Sequence, residues 1–462
     1  MGVFDDLTPT PAVNKYAGII LAFVAGSTVV GYIVDNLVCR KALKGAPEDR
    51  PRGWVLGMLI SSYFLLLPGL FHTLFGYRIA VMGGMKVLSE RKENTIQFAH
   101  ELLISGSELG CVFVVGFAIV LPIAKFILLV VGGILRHSRS SGKRSCARKS
   151  VMFVQRISKW ASPDMFAYIL LTYLIRGLNK PPILIGLMDL DIGFTCFATF
   201  CVASTISSLG VRAPTKGEVG MDDGEPKTGF GFKPLPALVC TVVVCIVFVV
   251  MLVLGITRPC MALRLDMDLL FQSGKVDISL KPLVEAMHIQ ELAADDVTLW
   301  NCTKQLFEWI RPDAEDNREH WEVNSAVAFF LLSVLVIAFT VLDMLVLLMA
   351  AVFMQVTRRR PPVLLEVAMF LRKLSMLDVC VTGVFIIILA GRIYRANGVI
   401  VRFQEGWLYL LIAELCHYIA YWAVTLTGRF AGLRDARRDS FREAPPSDSS
   451  SSDGGSEGEE DR

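Results

Sequence analysis

Six ionisable residues stand inside or at the edges of long apolar stretches, where a charge is costly and usually serves a purpose. They are Lys125, Asp164, Asp343, Asp378, Glu414 and His417. Placing such a group in hydrocarbon costs at least about 2.5–3.5 kcal/mol. We interpret them as a polar network in a membrane, able to guide a lipid headgroup or protons. Lys125 is expected to bend toward Asp164 and pair with it.

Asp164 and Asp378 have a second interpretation, as helix-capping residues. Ser162 and Pro163 before Asp164 are typical of a helix start, and Ser375 stands three residues before Asp378. Capping alone and a further functional role both remain open for these two aspartates.

No helix end is near Lys125 or Asp343, so a functional role is favoured for both. Pro122 lies one turn before Lys125 and is expected to kink that helix, because proline lacks a backbone N–H.

Glu414 and His417 are one helical turn apart, which favours a buried hydrogen-bonded pair over a metal site, since only two ligands are visible. The eleven cysteines include no C-x-x-C pair. Nucleotide-binding motifs and nucleophile–base constellations are also missing from the sequence. We therefore predict no enzymatic activity, no cofactor, no metal and no nucleic-acid partner.

Composition indicates that these residues belong to membrane-spanning helices. Hydrophobic residues make up 53% of the chain and charged residues 19%, against about 25% charged in soluble domains. Because a helix needs about 20 apolar residues to span the hydrocarbon core, we predict an all-α polytopic membrane protein with nine spans. They are roughly 16–38, 54–75, 109–135, 164–180, 186–209, 234–257, 326–356, 377–395 and 405–427.

Loop charges predict the orientation of these helices. Segments 39–53, 136–160 and 357–373 are basic, whereas 258–324 has thirteen acidic residues against seven basic ones. Basic loops stay cytoplasmic. Nine spans then place the N-terminus outside or in a lumen, and the C-terminus in the cytoplasm. Stretches 150–161 and 362–373 resemble amphipathic helices lying on an anionic leaflet, or purely structural anchors.

The acidic outer segment has two features of a secretory-pathway exterior. Asn301-Cys302-Thr303 matches the glycosylation acceptor pattern, and Cys260 could form a disulfide with Cys302. A chance sequon and two unpaired cysteines are equally consistent with the sequence. The tail over 429–462 is predicted to be disordered, because its Ser-rich, acidic composition offers no core.

An internal repeat organises the spans. Lys159 precedes Asp164 by the same interval as Lys373 precedes Asp378, 214 residues later. The repeat predicts two tandem, parallel four-helix transmembrane bundles behind one extra N-terminal helix. The predicted units are 1–53 (first helix and linker), 54–210 (first bundle), 211–233 (linker), 234–428 (second bundle with the outer segment) and the tail.

The repeated motifs resemble those of the paraquat-inducible protein A family. Leu121-Pro122-Ile123-Ala124-Lys125 is similar to its Leu-Pro-x-x-Lys motif. Lys159-Trp160-Ala161-Ser162-Pro163-Asp164-Met165-Phe166 and Leu374-Ser375-Met376-Leu377-Asp378-Val379 resemble its Lys-Trp-Ser-Met-x-Asp-Val-Phe motif. The likeness covers about 54–428. The family's zinc-binding cysteine segments are missing, and Asp343 stands where a second Pro-x-x-Lys is expected.

This resemblance implies lipid trafficking, with membrane lipids and a lipid-conduit protein as partners. Two other functions fit the sequence. One is a proton-coupled small-solute transporter, and the other is a non-transporting four-helix scaffold that binds a partner through its outer segment.

Overall fold

A computed structural model describes most of the chain. The described residues are 10–39, 52–81, 86–136, 138, 140–181, 183–214, 234–266, 269, 271, 294–312, 320–357, 361–395 and 398–443. Most of the predicted linker 211–233, part of the outer segment and the tail beyond 443 lie outside these ranges.

The first half of the chain contains seven helices and three strands. The helices are α1 (Thr10–Val34), α2 (Gly53–Phe71), α3 (Thr95–Ile104), α4 (Glu108–Arg136), α5 (Ser141–Ile157), α6 (Pro163–Gly177) and α7 (Ile192–Gly210). The strands are β1 (Phe75–Val81), β2 (Lys86–Glu93) and β3 (Leu184–Leu190). A 3₁₀ turn, Ser158–Ala161, joins α5 to α6.

The second half repeats this order of elements from α2 onward. Its helices are α8 (Pro234–Thr257), α9 (Leu299–Trp309), α10 (Val323–Thr357), α11 (Pro362–Leu374), α12 (Leu377–Arg395) and α13 (Glu405–Glu443). Its strands are β4 (Pro259–Leu265), β5 (Asp295–Thr298) and β6 (Val399–Phe403).

Eight helical segments among the described residues are long and apolar enough to cross a membrane, which confirms the prediction of a multi-pass, mainly helical protein. The segment Pro362–Ile393 combines α11 with α12. The predicted span at 164–180 is instead the 15-residue helix α6, about 22 Å long and buried along nearly its whole length. Although α6 alone is shorter than the ~30 Å hydrocarbon core, it packs inside the protein and leads from the 3₁₀ turn to β3, which joins the sheet of β1 and β2.

Two small antiparallel sheets were missed by the all-α prediction. In the first sheet β1 lies between β2 and β3, so that Phe75 is opposite both Glu93 and Leu190. In the second, β4 lies between β5 and β6. The span predicted from residue 186 therefore begins as strand β3, and its helix α7 starts at Ile192.

The two halves meet where α6 packs against α12. Gly383 of α12 permits this close approach, because a Cβ there would lie 2.8 Å from the Pro163 carbonyl oxygen and 2.9 Å from the Phe166 Cβ. Both sheets lie at one end of this interface, where Ile79 of β1 and Leu263 of β4 line the same narrow apolar gap. We call this end of the molecule the sheet end.

Helix α13 is longer than expected. The apolar segment ends at Gly428, but the helix continues to Glu443. The helix thus extends into the first part of the tail 429–462.

Candidate functional site

Lys125 lies at the centre of a buried polar cluster in the first half. Its side chain, on α4, is fully buried. The ammonium Nζ donates to Ser158 Oγ at 2.6 Å, to the Ser204 carbonyl oxygen at 2.8 Å and to Ser204 Oγ at 3.1 Å. Ser158 Oγ is also 2.8 Å from Ser208 Oγ. These acceptors satisfy the three N–H groups of the lysine.

The predicted pairing of Lys125 with Asp164 is wrong. Asp164 is fully buried in the first turn of α6, and its carboxylate has no side-chain hydrogen-bond partner among the described residues. The Lys125 ammonium instead donates its hydrogen bonds to Ser158 of the 3₁₀ turn and Ser204 of α7. Cys201 of α7 lies within electrostatic range of both Lys125 and Asp164.

Ser162 does not cap α6 as predicted. Its hydroxyl donates to the Lys159 carbonyl oxygen at 2.8 Å, and it makes no capping hydrogen bond. The N-cap hydrogen bond predicted from Ser162 is therefore not made, and Asp164 lies in the first turn of a helix whose start has no side-chain cap.

The second half contains a buried triad of acid, histidine and acid. His417 Nε2 is 2.8 Å from Asp343 Oδ2, and His417 Nδ1 is 3.4 Å from Glu414 Oε2. The sequence indicated the contact between Glu414 and His417, but it did not place Asp343 of α10 beside them. The Phe248 ring of α8, 6.2 Å from the imidazole, covers the group on one side.

This triad is not arranged like a metal site. The two carboxylates bind opposite ring nitrogens of His417, so the three side chains do not converge on one point. Within the described ranges, no group of three or more His, Cys, Asp or Glu side chains could hold a metal ion.

A third buried group joins the two halves. Lys159 Nζ, from the 3₁₀ turn before α6, is 2.8 Å from Asp378 Oδ2 on α12 and 3.1 Å from the Ser375 carbonyl oxygen. Tyr418 OH donates to the same Asp378 oxygen at 3.0 Å, and the Val379 N–H donates to Asp378 Oδ1 at 2.9 Å. Asp378 therefore accepts a backbone N–H in the first turn of α12 and also pairs with a cation from the other half.

Arg372 encloses this group on one side. Its guanidinium carbon lies 4.1 Å from the Tyr418 ring centre and 3.9 Å from that of Tyr421, in the geometry of a cation–π contact. Lys373, at the position equivalent to Lys159, donates instead to Gln155 Oε1 at 3.1 Å. The two equivalent lysines thus have different partners.

Helices α4 and α10 each contain a wide, π-helical stretch near these groups. In α4 it covers Gly116–Val120 and ends two residues before Pro122, whose carbonyl oxygen accepts a hydrogen bond from Tyr63 OH at 3.2 Å. In α10 it covers Leu331–Ala338, and the freed Leu335 carbonyl oxygen accepts from the Met376 N–H at 3.0 Å. Such turns recur at functional sites because they redirect backbone groups.

The predicted disulfide between Cys260 and Cys302 is absent, and both thiols are free and fully buried. The Cys260 thiol donates to the Val297 carbonyl oxygen at 3.2 Å, and burial raises its pKa to about 12, which keeps it protonated. Asn301 is exposed on α9, while the Thr303 hydroxyl of the same sequon is buried and donates to the Leu299 carbonyl oxygen at 2.8 Å.

A polar cavity of about 680 Å³ lies at the sheet end. Arg176 in its wall forms ion pairs with Asp189 at 2.8 Å and Glu322 at 3.1 Å, and its guanidinium carbon lies 4.7 Å from the Trp309 ring centre. Arg176 and Lys159 were not included in the predicted polar network, since both stand at the ends of apolar segments; Lys159 was identified only as the first residue of the repeated motif.

No family model matches the chain, and neither a curated protein nor a solved structure matches it.

Proposed function

We propose that this membrane protein moves lipids or other apolar molecules along the interior of two tandem helix bundles. One observation carries the proposal. Each half buries an ionisable cluster deep within membrane-length helices, around Lys125 in the first half and around Asp343, Glu414 and His417 in the second. Such clusters weaken a purely structural core, so their presence favours a role in handling polar headgroups.

The repeated order of elements supports a tandem duplication, with α1 as the additional helix. Two residues of the motifs that resemble the paraquat-inducible protein A family, Lys159 and Asp378, pair where the halves meet. In that family the implied role is lipid trafficking with a lipid-conduit partner, and we extend this role to the chain as part of the proposal.

The proposed orientation places α5 and α11 on the cytoplasmic leaflet. Both helices expose apolar side chains, including Phe153 and Phe370, each about half exposed, and α5 is rich in lysine and arginine. A basic amphipathic helix with these features suits an anionic membrane surface. The N-terminus then lies outside or in a lumen, together with the sheet end.

Labelling with a membrane-impermeant maleimide tests this orientation. Cys146 is exposed on α5 and should react only after the membrane is permeabilised. A cysteine introduced by Asn301→Cys on α9 should react in sealed cells or vesicles, and Cys146→Ser supplies the background. Reaction of the cysteines at positions 146 and 301 from the same side of the membrane would contradict the proposed orientation.

Reconstitution into vesicles with a fluorescent phospholipid tests the function. The wild-type protein should move the lipid between leaflets or to acceptor vesicles, whereas Lys125→Ala and Asp343→Ala should abolish the movement in folded, correctly inserted protein. Lys304→Ala, at an exposed helix position, is the matched control. Wild-type lipid movement by both Lys125→Ala and Asp343→Ala would contradict the proposal that the buried polar residues act in transport.

The same preparation separates the alternative functions. Solute flux that follows a pH gradient without lipid movement would indicate a proton-coupled small-solute transporter. Loss of partner binding on deletion of 262–322, with no transport activity in the intact protein, would indicate a scaffold.

A further inference from the structure

The buried triad of the second half has two carboxyl groups and one basic group. Asp343 of α10 and Glu414 of α13 both contact the imidazole of His417, and all three side chains are buried. Even with His417 protonated, two ionised carboxylates would leave one uncompensated negative charge inside the bundle. Because a buried unpaired charge is strongly disfavoured, the triad needs one further positive charge or one further proton.

The two helices that pack against α13 beside the triad supply no second cation. Helix α8 contains no Asp, Glu, Lys, Arg or His, and its titratable residues, Cys240 and Cys245, are thiols that are uncharged at neutral pH. In α10, Asp343 is the only charged residue. The apolar surroundings therefore offer the two acids no compensation beyond His417 itself.

The charged groups of α11 and α12 beside the triad are already engaged. Tyr418, whose ring centre lies 6.5 Å from that of His417, donates its hydroxyl to Asp378 of α12 at 3.0 Å. Asp378 has Lys159 as its cation, and the Arg372 guanidinium of α11 lies over the Tyr418 ring. In the described part of the chain, His417 is thus the only basic side chain in contact with either acid of the triad.

The two contacts of His417 differ in length, and this difference assigns the charge. Its Nε2 lies 2.8 Å from Asp343 Oδ2, the length of a hydrogen bond between an imidazolium and a carboxylate, whereas its Nδ1 lies 3.4 Å from Glu414 Oε2. Asp343 Oδ1 is buried without a partner among the described residues, so Asp343 depends on His417 to compensate its charge. The distances therefore favour an ion pair of His417 with Asp343 beside a neutral Glu414 carboxyl group.

Glu414 is also the most accessible member of the triad. Its side chain is 7% exposed, against 0% for Asp343 and 1% for His417. It lies about 14 Å along α13 from Glu405 at the start of the helix, at 1.5 Å for each residue. A proton that reaches the triad from water meets Glu414 before it meets the ion pair.

We propose that Glu414 is an exchangeable proton-binding residue, which carries a proton at neutral pH beside the ion pair of His417 and Asp343. When the proton is released, the Glu414 O–H bond breaks, its electron pair stays on the carboxylate oxygen, and the proton passes to water. The ionised Glu414 then competes with Asp343 for the imidazolium. Because Asp343 is on α10 and the other two residues are on α13, this competition links proton release to the contact between the two helices.

This proton exchange goes beyond the proposed lipid movement and does not depend on it. It gives the second half a group on which a proton gradient can act, whatever molecule the bundles carry. Proton binding is measured by spectroscopy of the resting protein, and lipid movement is measured in vesicles. The two proposals therefore fail separately.

Infrared spectroscopy of the full-length protein in lipid nanodiscs tests the assignment. At neutral pH the wild type should show a C=O stretching band of a buried protonated carboxyl group that Glu414→Gln removes. Glu405→Gln replaces an exposed glutamate at the start of the same helix and should leave this band unchanged. Glu93, the last residue of β2, and Asp164 are also buried without side-chain partners, and any bands from them should persist in both variants.

Variants of the two partner residues separate proton binding from a role in packing alone. In Asp343→Asn the imidazolium has only Glu414 to compensate, so Glu414 should ionise and its band should disappear although the residue itself is unchanged. In His417→Gln both acids lose their cation, so the Glu414 band should persist and a second band, from Asp343, should appear. A Glu414 that only fills space would give neither change.

Circular dichroism and gel filtration identify the folded variants. If Glu414→Gln does not fold, Glu414→Asp keeps the acid and should shift the band rather than remove it. Identical carboxyl spectra for the wild type and either folded Glu414 variant would overturn the inference, as would a Glu414 band that persists in Asp343→Asn. A band that appears only when sodium and potassium are withdrawn would also overturn it, because an alkali cation would then take the place of the proton.

Discussion

Lys159 Nζ lies 2.8 Å from Asp378 Oδ2, and this ion pair connects the two halves of the chain through a buried contact. Lys159 begins the repeated motif of the first half, and Asp378 is the aspartate of that motif in the second half. The pairing is one-sided, because the equivalent lysine, Lys373, binds Gln155 and the equivalent acid, Asp164, has no cation partner. The repeat in sequence therefore yields an asymmetric interface.

Removing one member of this pair should destabilise the protein strongly. Lys159→Met leaves the Asp378 carboxylate buried and should lower the free energy of unfolding by about 3–5 kcal/mol. The double variant Lys159→Met/Asp378→Leu should be more stable than Lys159→Met. Unfolding in mixed micelles measures both, and additive losses would show that the pair is not coupled.

An exposed lysine supplies the control for that series. Lys304 forms an i,i+4 pair with Glu308 at 3.7 Å on the surface of α9. Lys304→Met should change the free energy of unfolding by less than about 0.5 kcal/mol, because solvent screens such pairs.

The contact between α6 and α12 should be sensitive to a single methyl group. Gly383→Ala would place a Cβ 2.8 Å from the Pro163 carbonyl oxygen, so we expect a loss of about 1–3 kcal/mol from overpacking. Gly133→Ala in α4 meets no atom within 4 Å and should be neutral or stabilising. Equal effects of the two substitutions on the thermal midpoint would exclude tight packing at Gly383.

The stability of the protein should depend on pH through Glu93. Its pKa is raised from 4.5 to about 7 by burial, so the folded state binds more protons than the unfolded state between these values. The stabilising contribution is present at low pH and is lost as the pH rises to about 7, by about 3 kcal/mol in total. Glu93→Gln should reduce this loss of stability with rising pH, which is measured as the free energy of unfolding at several pH values. An unchanged pH dependence would show that Glu93 is ionised in the folded protein.

Lys125 should matter more for transport than for folding. Lys125→Met keeps the length of the side chain, and the freed Ser158 hydroxyl remains bonded to Ser208. We expect a loss of stability below about 1.5 kcal/mol together with loss of lipid movement in vesicles. Wild-type transport in this variant would assign Lys125 a structural role.

Much of the helical framework could be predicted from sequence, because runs of about 20 apolar residues have few alternatives in a membrane. The strands could not be predicted in this way. Strands β1 and β3 continue the apolar character of the helices beside them, and their hydrogen-bond partners lie far apart in the chain. Residues 186–190 of β3 were therefore absorbed into a predicted helix.

Most members of the candidate site were predicted, but the only contact among them that the sequence indicated is that of Glu414 with His417. Hydropathy gives the depth of Lys125 along a helix, but it does not give the direction in which the side chain points, so the pairing with Asp164 was wrong. Sequence did contain a signal for Lys159, since a lysine precedes the aspartate at the same interval in both repeats. The burial of Glu93 depends on the sheet and had no such signal.

The first sheet also has a consequence for biosynthesis. Strand β1 pairs on one edge with β2 soon after both are made, but its other edge waits for β3, which follows only after α4 to α6. Until then the nascent chain presents an open strand edge, a known template for wrong pairing. Translation arrested or truncated before Leu184 should thus yield a species that chaperones retain, while chains that pass Leu190 can mature.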